Sequence, residues 1–197
     1  MENLYLAAIF SYVHLLTFAL YSLNYANIRK QKHYADNKEL FEAMPLSRKI
    51  TKFSFTFGTI MVLISFWIQT PWLLSFHNQL GLRIFGVILT FSAFLFLKKS
   101  LQNLGKNYSP LFDSHRPGQI VKTGPYHLIR HPVYLANMLI LLGYVFSSGS
   151  GWVILSTAWG WGYMLRSIIK EDEFLSKEFP EYSDYKKKTW RIIPFVF

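Results

Sequence analysis

The chain has 197 residues, a length suited to one domain, and 51% of it is apolar, 18% aromatic and only 16% charged. Soluble domains carry about a quarter charged residues, so the balance points to a membrane protein, and the lack of cysteine excludes disulfides, thiolate metal sites and thiol nucleophiles. The net charge of +10 gathers at the ends of apolar runs (Arg29, Lys30 and Lys32; Arg48, Lys49 and Lys52; Lys98, Lys99 and Lys106; Lys186 to Lys188 and Arg191). That is a topology signal rather than a nucleic-acid footprint, and no nucleic-acid-binding module accompanies it.

Residues 4–28 are uncharged and run directly into "RKQKH", which predicts a first transmembrane helix with a cationic end. The run lacks the basic start and small-residue cleavage site of a signal peptide, so it is expected to remain as an anchor. Residues 53–76, interrupted by Pro71, and residues 80–97, holding only Arg83, predict a second and a third span. The short link "HNQLG" predicts an antiparallel hairpin between them. Residues 98–130 mix Gly, Pro, Asn, Ser and charge without a period and are expected to form a functional loop. Residues 133–165 are uncharged again but divided by "SSGSG" at 147–151, which predicts a helical hairpin starting at Pro132 and ended by Arg166. The remaining tail is amphipathic and holds six of the eleven acidic residues.

The fold class expected is therefore all-α: a single polytopic membrane domain over residues 1–197, with about five transmembrane helices, three of them within residues 1–100. Lys and Arg counts in the loops place the N-terminus outside and the tail in the cytoplasm. The long loop and the charged tail then share one membrane face.

There they bring together His115, Arg116, Tyr126, His127, Arg130, His131, Tyr134, Asn137, Arg166 and Glu171. Singly, these residues read as snorkelling cations and an interfacial aromatic belt. Together they suggest a cofactor site. The Gly124-Pro125 turn, a non-helical Arg130-His131 and a helix starting at Pro132 would direct backbone N–H groups and the His131 ring at an anion by a helix N-terminus. Arg166 and Glu171 are five residues apart, which does not make them partners on a straight helix. Asp172 and Glu173 read as solvated surface charges, and Glu171 as the functional carboxylate.

At these residues the chain resembles the isoprenylcysteine carboxyl methyltransferase and phospholipid methyltransferase group of membrane enzymes. Three segments carry the resemblance: "LGKNYS", "GQIVKTGPYHLIRHPVY" and "EDEFLSKEFPEYSDYKKKTWRIIP", all within residues 101–197. It implies an S-adenosylmethionine-dependent methyltransferase whose cytoplasmic pocket is formed by the loop before helix four and the C-terminal tail, and whose lipid-soluble acceptor arrives from the bilayer. It further implies cofactor contacts at Ile120, Val121, Tyr126, His131, Pro132, Val133, Tyr134 and Glu171, with Arg166 and Glu171 as the catalytic pair and Arg166 nearest the acceptor. Carboxyl O-methylation of a prenylated cysteine is the reaction most resembled, with phospholipid amine N-methylation as an alternative. Gly118 stands where relatives often have His, and Pro180 where Gly is more usual. Two other readings stay open: an NADPH-dependent membrane sterol or enone reductase, whose similar segment more often has Asn and Glu where this chain has Val133 and Asn137, and a non-catalytic membrane scaffold.

Overall fold

The structure, a computed structural model, describes residues 79–107 and 118–196 and, before them, residues 5, 9, 11–16, 18–20, 22, 23, 60, 63 and 64. The expected first two spans fall largely on other residues, so the count of five and the orientation lie outside the described part. Within it the fold is helical: α1 (Leu80–Leu104), α2 (Pro132–Ser148), α3 (Gly151–Glu178) and α4 (Tyr182–Lys188), with 3₁₀ turns at Gly105–Asn107 and Gly124–His127. The lone β-type contact described is a parallel bridge between Ile129 and Trp190.

Helix α1 has 25 residues, about 38 Å at 1.5 Å per residue, more than the roughly 30 Å of a bilayer's hydrocarbon core. It is the one described helix long and apolar enough to cross a membrane. Leu82, Phe85, Ile88, Phe91 and Leu95 lie exposed along it. Such a row would be a liability in water and is the natural surface in lipid. The helix does not stop at Lys98-Lys99, where the third span was expected to end. Lysine is a good helix former, and α1 continues to Gly105, whose φ of 51° ends it.

Helices α1 and α2 approach closely because both present glycine at the crossing. A Cβ on Gly86 would lie 2.7 Å from the Gly143 carbonyl oxygen, and one on Gly143 would lie 2.8 Å from that of Gly86. Thr90 beside them donates its hydroxyl to the Gly86 carbonyl (2.9 Å). In lipid no hydrophobic force drives helices together, so close contact of small residues supplies the packing energy. Below this crossing Arg83 donates to the Ser147 carbonyl (3.1 Å), and Ser147 Oγ meets His14 Nε2 at 2.9 Å.

The hairpin α2–α3 turns where "SSGSG" predicted, at a left-handed Gly149 whose N–H caps the Val145 carbonyl. Helix α2 starts at Pro132 as expected. Arg166, however, ends nothing: α3 runs unbroken for 28 residues to Glu178, about 42 Å. No glycine or proline follows Gly162 until Pro180, so the charged stretch after Arg166 simply continues the helix.

Candidate active site

The segment before α2 and the tail after α4 are sewn together by main-chain hydrogen bonds. Arg130 and His131 donate their N–H groups to the carbonyls of Trp190 (2.8 Å) and Arg191 (3.0 Å), and Trp190 returns one to Leu128 (3.2 Å). The expected non-helical path of Arg130-His131 is present, with His131 at φ −123° and ψ 55°. Its N–H groups, however, serve the tail and not an anion. Upstream, Gly124 has φ 59°, a left-handed conformation that favours glycine in the Gly-Pro-Tyr turn. That turn holds Tyr126 in the interior, where its carbonyl accepts the Tyr185 hydroxyl at 2.5 Å.

The centre of the arrangement is Asp172, which the sequence reading assigned to solvent. It is 2% exposed. Its Oδ1 receives the Tyr182 hydroxyl at 2.5 Å and lies 2.9 Å from His131 Nε2; its Oδ2 receives Arg191 Nε at 2.8 Å. Arg130, its side chain also buried, places Nε 3.4 Å from Oδ1 and Nη2 3.5 Å from Oδ2, while its Nη1 donates to the carbonyls of Thr189 and Lys186. Burial alone would raise the carboxyl's pKa. Hydrogen bonds from His131, Tyr182 and Arg191, together with the charge at His131, outweigh it and hold Asp172 well below the usual carboxylate range. An ionised carboxylate only accepts, so His131 Nε2 carries a proton and donates it. Burial and the Asp172 charge push the Tyr182 hydroxyl up and keep it a donor. Arg130 is thus a clamped interior cation, not a snorkelling one.

With Nε2 anchored, the other ring nitrogen of His131 faces Glu171, whose Oε2 lies 3.9 Å from Nδ1. The Tyr134 ring stands edge-on to the imidazole at 5.7 Å, and its hydroxyl favours the ionised form of Glu171. Glu171 keeps 33% of its side chain exposed, against 3% for His131. Crowding around its carboxyl pushes its pKa up, and the Asp172 charge adds to the rise; His131 and the Tyr134 hydroxyl oppose it. The two adjacent acids are therefore shifted in opposite directions: Asp172 is fixed and ionised, Glu171 reachable and easier to protonate.

Of the residues expected to contact a cofactor, His131, Tyr134 and Glu171 come together here, with Pro132 and Val133 forming the first turn of α2 beside them. Ile120 and Val121 lie half-buried in the segment leading to the Gly-Pro-Tyr turn. Tyr126 supports the tail from beneath. Arg166 stands on the exposed side of α3, and among the described residues no hydrogen bond or ion pair reaches it. His115 and Arg116 lie outside the described residues. Sequence reasoning missed Asp172, Tyr182 and Arg191. A signal was present for the first: the buried positions Met164 and Ile168, continued by four residues along the same helix face, land on Asp172.

A family model for phospholipid methyltransferases matches residues 81–182, just over half of the chain. The match begins in α1, the helix suited to a membrane, and ends at Tyr182, one of the groups on Asp172. The class so defined is that of the membrane methyltransferases. The chain belongs to the phospholipid methyltransferase family, as its motifs led us to expect. Among curated proteins it is 35% identical over 97 residues to the cobalt-zinc-cadmium resistance protein CzcN of Cupriavidus metallidurans, covering 48% of this chain and 45% of that protein. It is 31% identical over 97 residues to the nickel-cobalt-cadmium resistance protein NccN of Alcaligenes xylosoxydans xylosoxydans, covering 48% and 46%. The matched part thus spans under half the length of either relative.

Proposed function

We propose that the protein transfers a methyl group from S-adenosylmethionine to a lipid-soluble acceptor at the cytoplasmic face of a membrane. The observation that carries this reading is the half-open Glu171 carboxyl beside the start of α2, held in place by His131 and Tyr134. The donor set fits the cofactor. First-turn N–H groups of a helix suit an amino-acid carboxylate, and Glu171 suits ribose hydroxyls or the neighbourhood of a sulfonium. Half-buried Ile120 and Val121 offer an apolar edge to an adenine ring.

When bound, this cofactor supplies an electrophilic methyl carbon, and the carbon–sulfur bond breaks onto sulfur as the acceptor's lone pair takes the methyl group. The protein's share is alignment and exclusion of water. Asp172 fixes the His131 ring, His131 and Tyr134 orient Glu171, and Glu171 can receive a proton that an N–H or O–H acceptor releases. A carboxylate acceptor would release none. Carboxyl O-methylation of a prenylated cysteine, the reaction most resembled, and N-methylation of a phospholipid amine both use this arrangement. Arg166, exposed on α3, is proposed to meet the acceptor from the lipid side.

Calorimetric titration of S-adenosylmethionine and its demethylated product into the detergent-solubilised protein tests the reading. We expect saturable binding that is lost in His131→Ala and Glu171→Ala. A folded protein that binds neither compound would overturn it, and titration with a reduced nicotinamide cofactor would then distinguish a reductase from a scaffold.

A further inference from the structure

Asn137 lies one helical turn deeper in α2 than Tyr134, three residues on and therefore its neighbour along the helix surface. Its Nδ2 donates to the Val133 carbonyl at 2.9 Å, which fixes the amide and turns the oxygen away from that bond. That oxygen is buried and has no hydrogen-bond partner; it is the one such side-chain atom among the described residues. A buried carbonyl without a donor weakens the folded state, so an orphan of this kind calls for an explanation. Other buried polar groups are served: Asp172 has four donors, and Ser100 on α1 and Thr189 each bond a helical carbonyl.

Helix phase places Asn137 on a functional side of α2. Tyr144, two turns further along the same face, packs tilted against His14 with ring centroids 4.9 Å apart, so this face looks toward the N-terminal helical segment. In the other direction along α2 the next polar group is Tyr134, edge-on to the His131 ring that faces Glu171. A lipid-soluble molecule whose reacting atom reaches Glu171 would therefore bring its next few atoms past Asn137.

We propose that Asn137 Oδ1 is a specificity-determining acceptor, receiving a hydrogen bond from an N–H that the methyl acceptor carries on or near its reacting atom. The inference rests on the methyltransferase reading and narrows its substrate class to N–H-bearing lipids. Two sources share that chemistry: a phospholipid amine and the amide N–H of a prenylated cysteine. A prenylated acid without a donor would leave the carbonyl orphaned during the reaction and be disfavoured.

Radiolabelled S-adenosylmethionine is supplied to wild type, Asn137→Leu and Asn137→Asp with three acceptors: phosphatidylethanolamine in mixed vesicles, N-acetyl-S-farnesylcysteine, and S-farnesylthiopropionic acid, which lacks any N–H. Cofactor affinity and melting temperature are measured alongside. We expect wild type to methylate at least one N–H-bearing acceptor, and to use the thiopropionic acid about tenfold less well, the cost of one unmade buried hydrogen bond. Asn137→Leu should raise KM for the N–H-bearing acceptor about tenfold while cofactor affinity stays unchanged. Asn137→Asp, which keeps the acceptor oxygen, should retain most of the wild-type KM. The apo Asn137→Leu protein should melt no lower than wild type, because the substitution removes an orphan; a structural asparagine would predict a fall. Equal use of the donor-free acid, an unchanged KM in Asn137→Leu, a lower melting temperature in that variant, or methylation of neither N–H-bearing lipid by cofactor-bound protein each overturns the proposal. Failure of wild type to bind the cofactor instead overturns the methyltransferase reading beneath it.

Discussion

Replacing Asp172 by alanine removes an interior anion and strands the groups gathered on it. Arg191 is a third exposed and can turn to water, but His131 and Arg130 are buried with it, and the Tyr182 hydroxyl lies in the interior. Breaking a buried ion pair from one side costs about 3–5 kcal/mol. Arg130 keeps the carbonyls of Thr189 and Lys186, which favours the lower half of that range. For a chain of this size about 1 kcal/mol moves the melting temperature by roughly 2–4 °C, so a fall of about 6–16 °C is expected. Thermal unfolding of the detergent-solubilised protein, followed by tryptophan fluorescence, reads it. The control is the exposed neighbour Glu173→Ala, expected to stay within about 0.5 kcal/mol of wild type. The pH dependence adds a sign. A carboxyl with a depressed folded pKa contributes stability in full above its unfolded value, near 4, and loses it as pH falls through the folded one. The gap between wild type and Asp172→Asn should hold from neutrality to about pH 5 and close only in stronger acid. If Asp172→Ala melts together with Glu173→Ala, the clamp is not what holds the tail to α3.

Glu171 should behave in the opposite sense. Its folded pKa is raised, so its contribution is fully present below the unfolded value of about 4.3 and is lost as pH rises through the folded one. Melting curves of apo wild type and Glu171→Gln should coincide near pH 4 and separate above it, with the variant the more stable; curves parallel across the range would contradict this. At the helix crossing, Gly86→Val should destabilise by about 1–3 kcal/mol or more, since its new methyls meet α2 main chain that cannot rotate away. Gly162→Ala, with nothing within 4 Å of the added carbon, should be neutral or stabilising by up to about 1 kcal/mol. Yield and melting temperature of the two variants check both.

What the sequence disclosed was what neighbouring residues decide. Pro132 starts α2 and Gly149 ends it, because proline and glycine restrict or free their own dihedrals wherever they sit. The pairing of His131, Tyr134 and Glu171 was legible through the motifs. The role of Asp172 was not, because its partners lie 10 to 42 residues away in sequence, at 182, 191, 131 and 130. Adjacent residues on a helix differ by about 100° in direction, so one of two neighbouring acids is buried and the other reachable. Deciding which requires knowing that α3 continues through Arg166 without a change of phase. The run of charges there looked like the end of a helix, whereas lysine, glutamate and arginine are compatible with continuing one.

The stitching of residues 128–131 to residues 190–191 also fixes a timetable. A ribosome delivers α1, the described helix long and apolar enough to cross a bilayer, before α2 and α3, and the tail comes last. Asp172, His131 and Arg130 must then wait for the last of their company, Tyr182 and Arg191. Until those residues appear, a buried anion has two of its four donors and the N–H groups of Arg130 and His131 have no acceptor. Membrane insertion and the birth of the site are therefore separate events, and a nascent chain halted before Trp190 would be anchored but without the frame that orients Glu171.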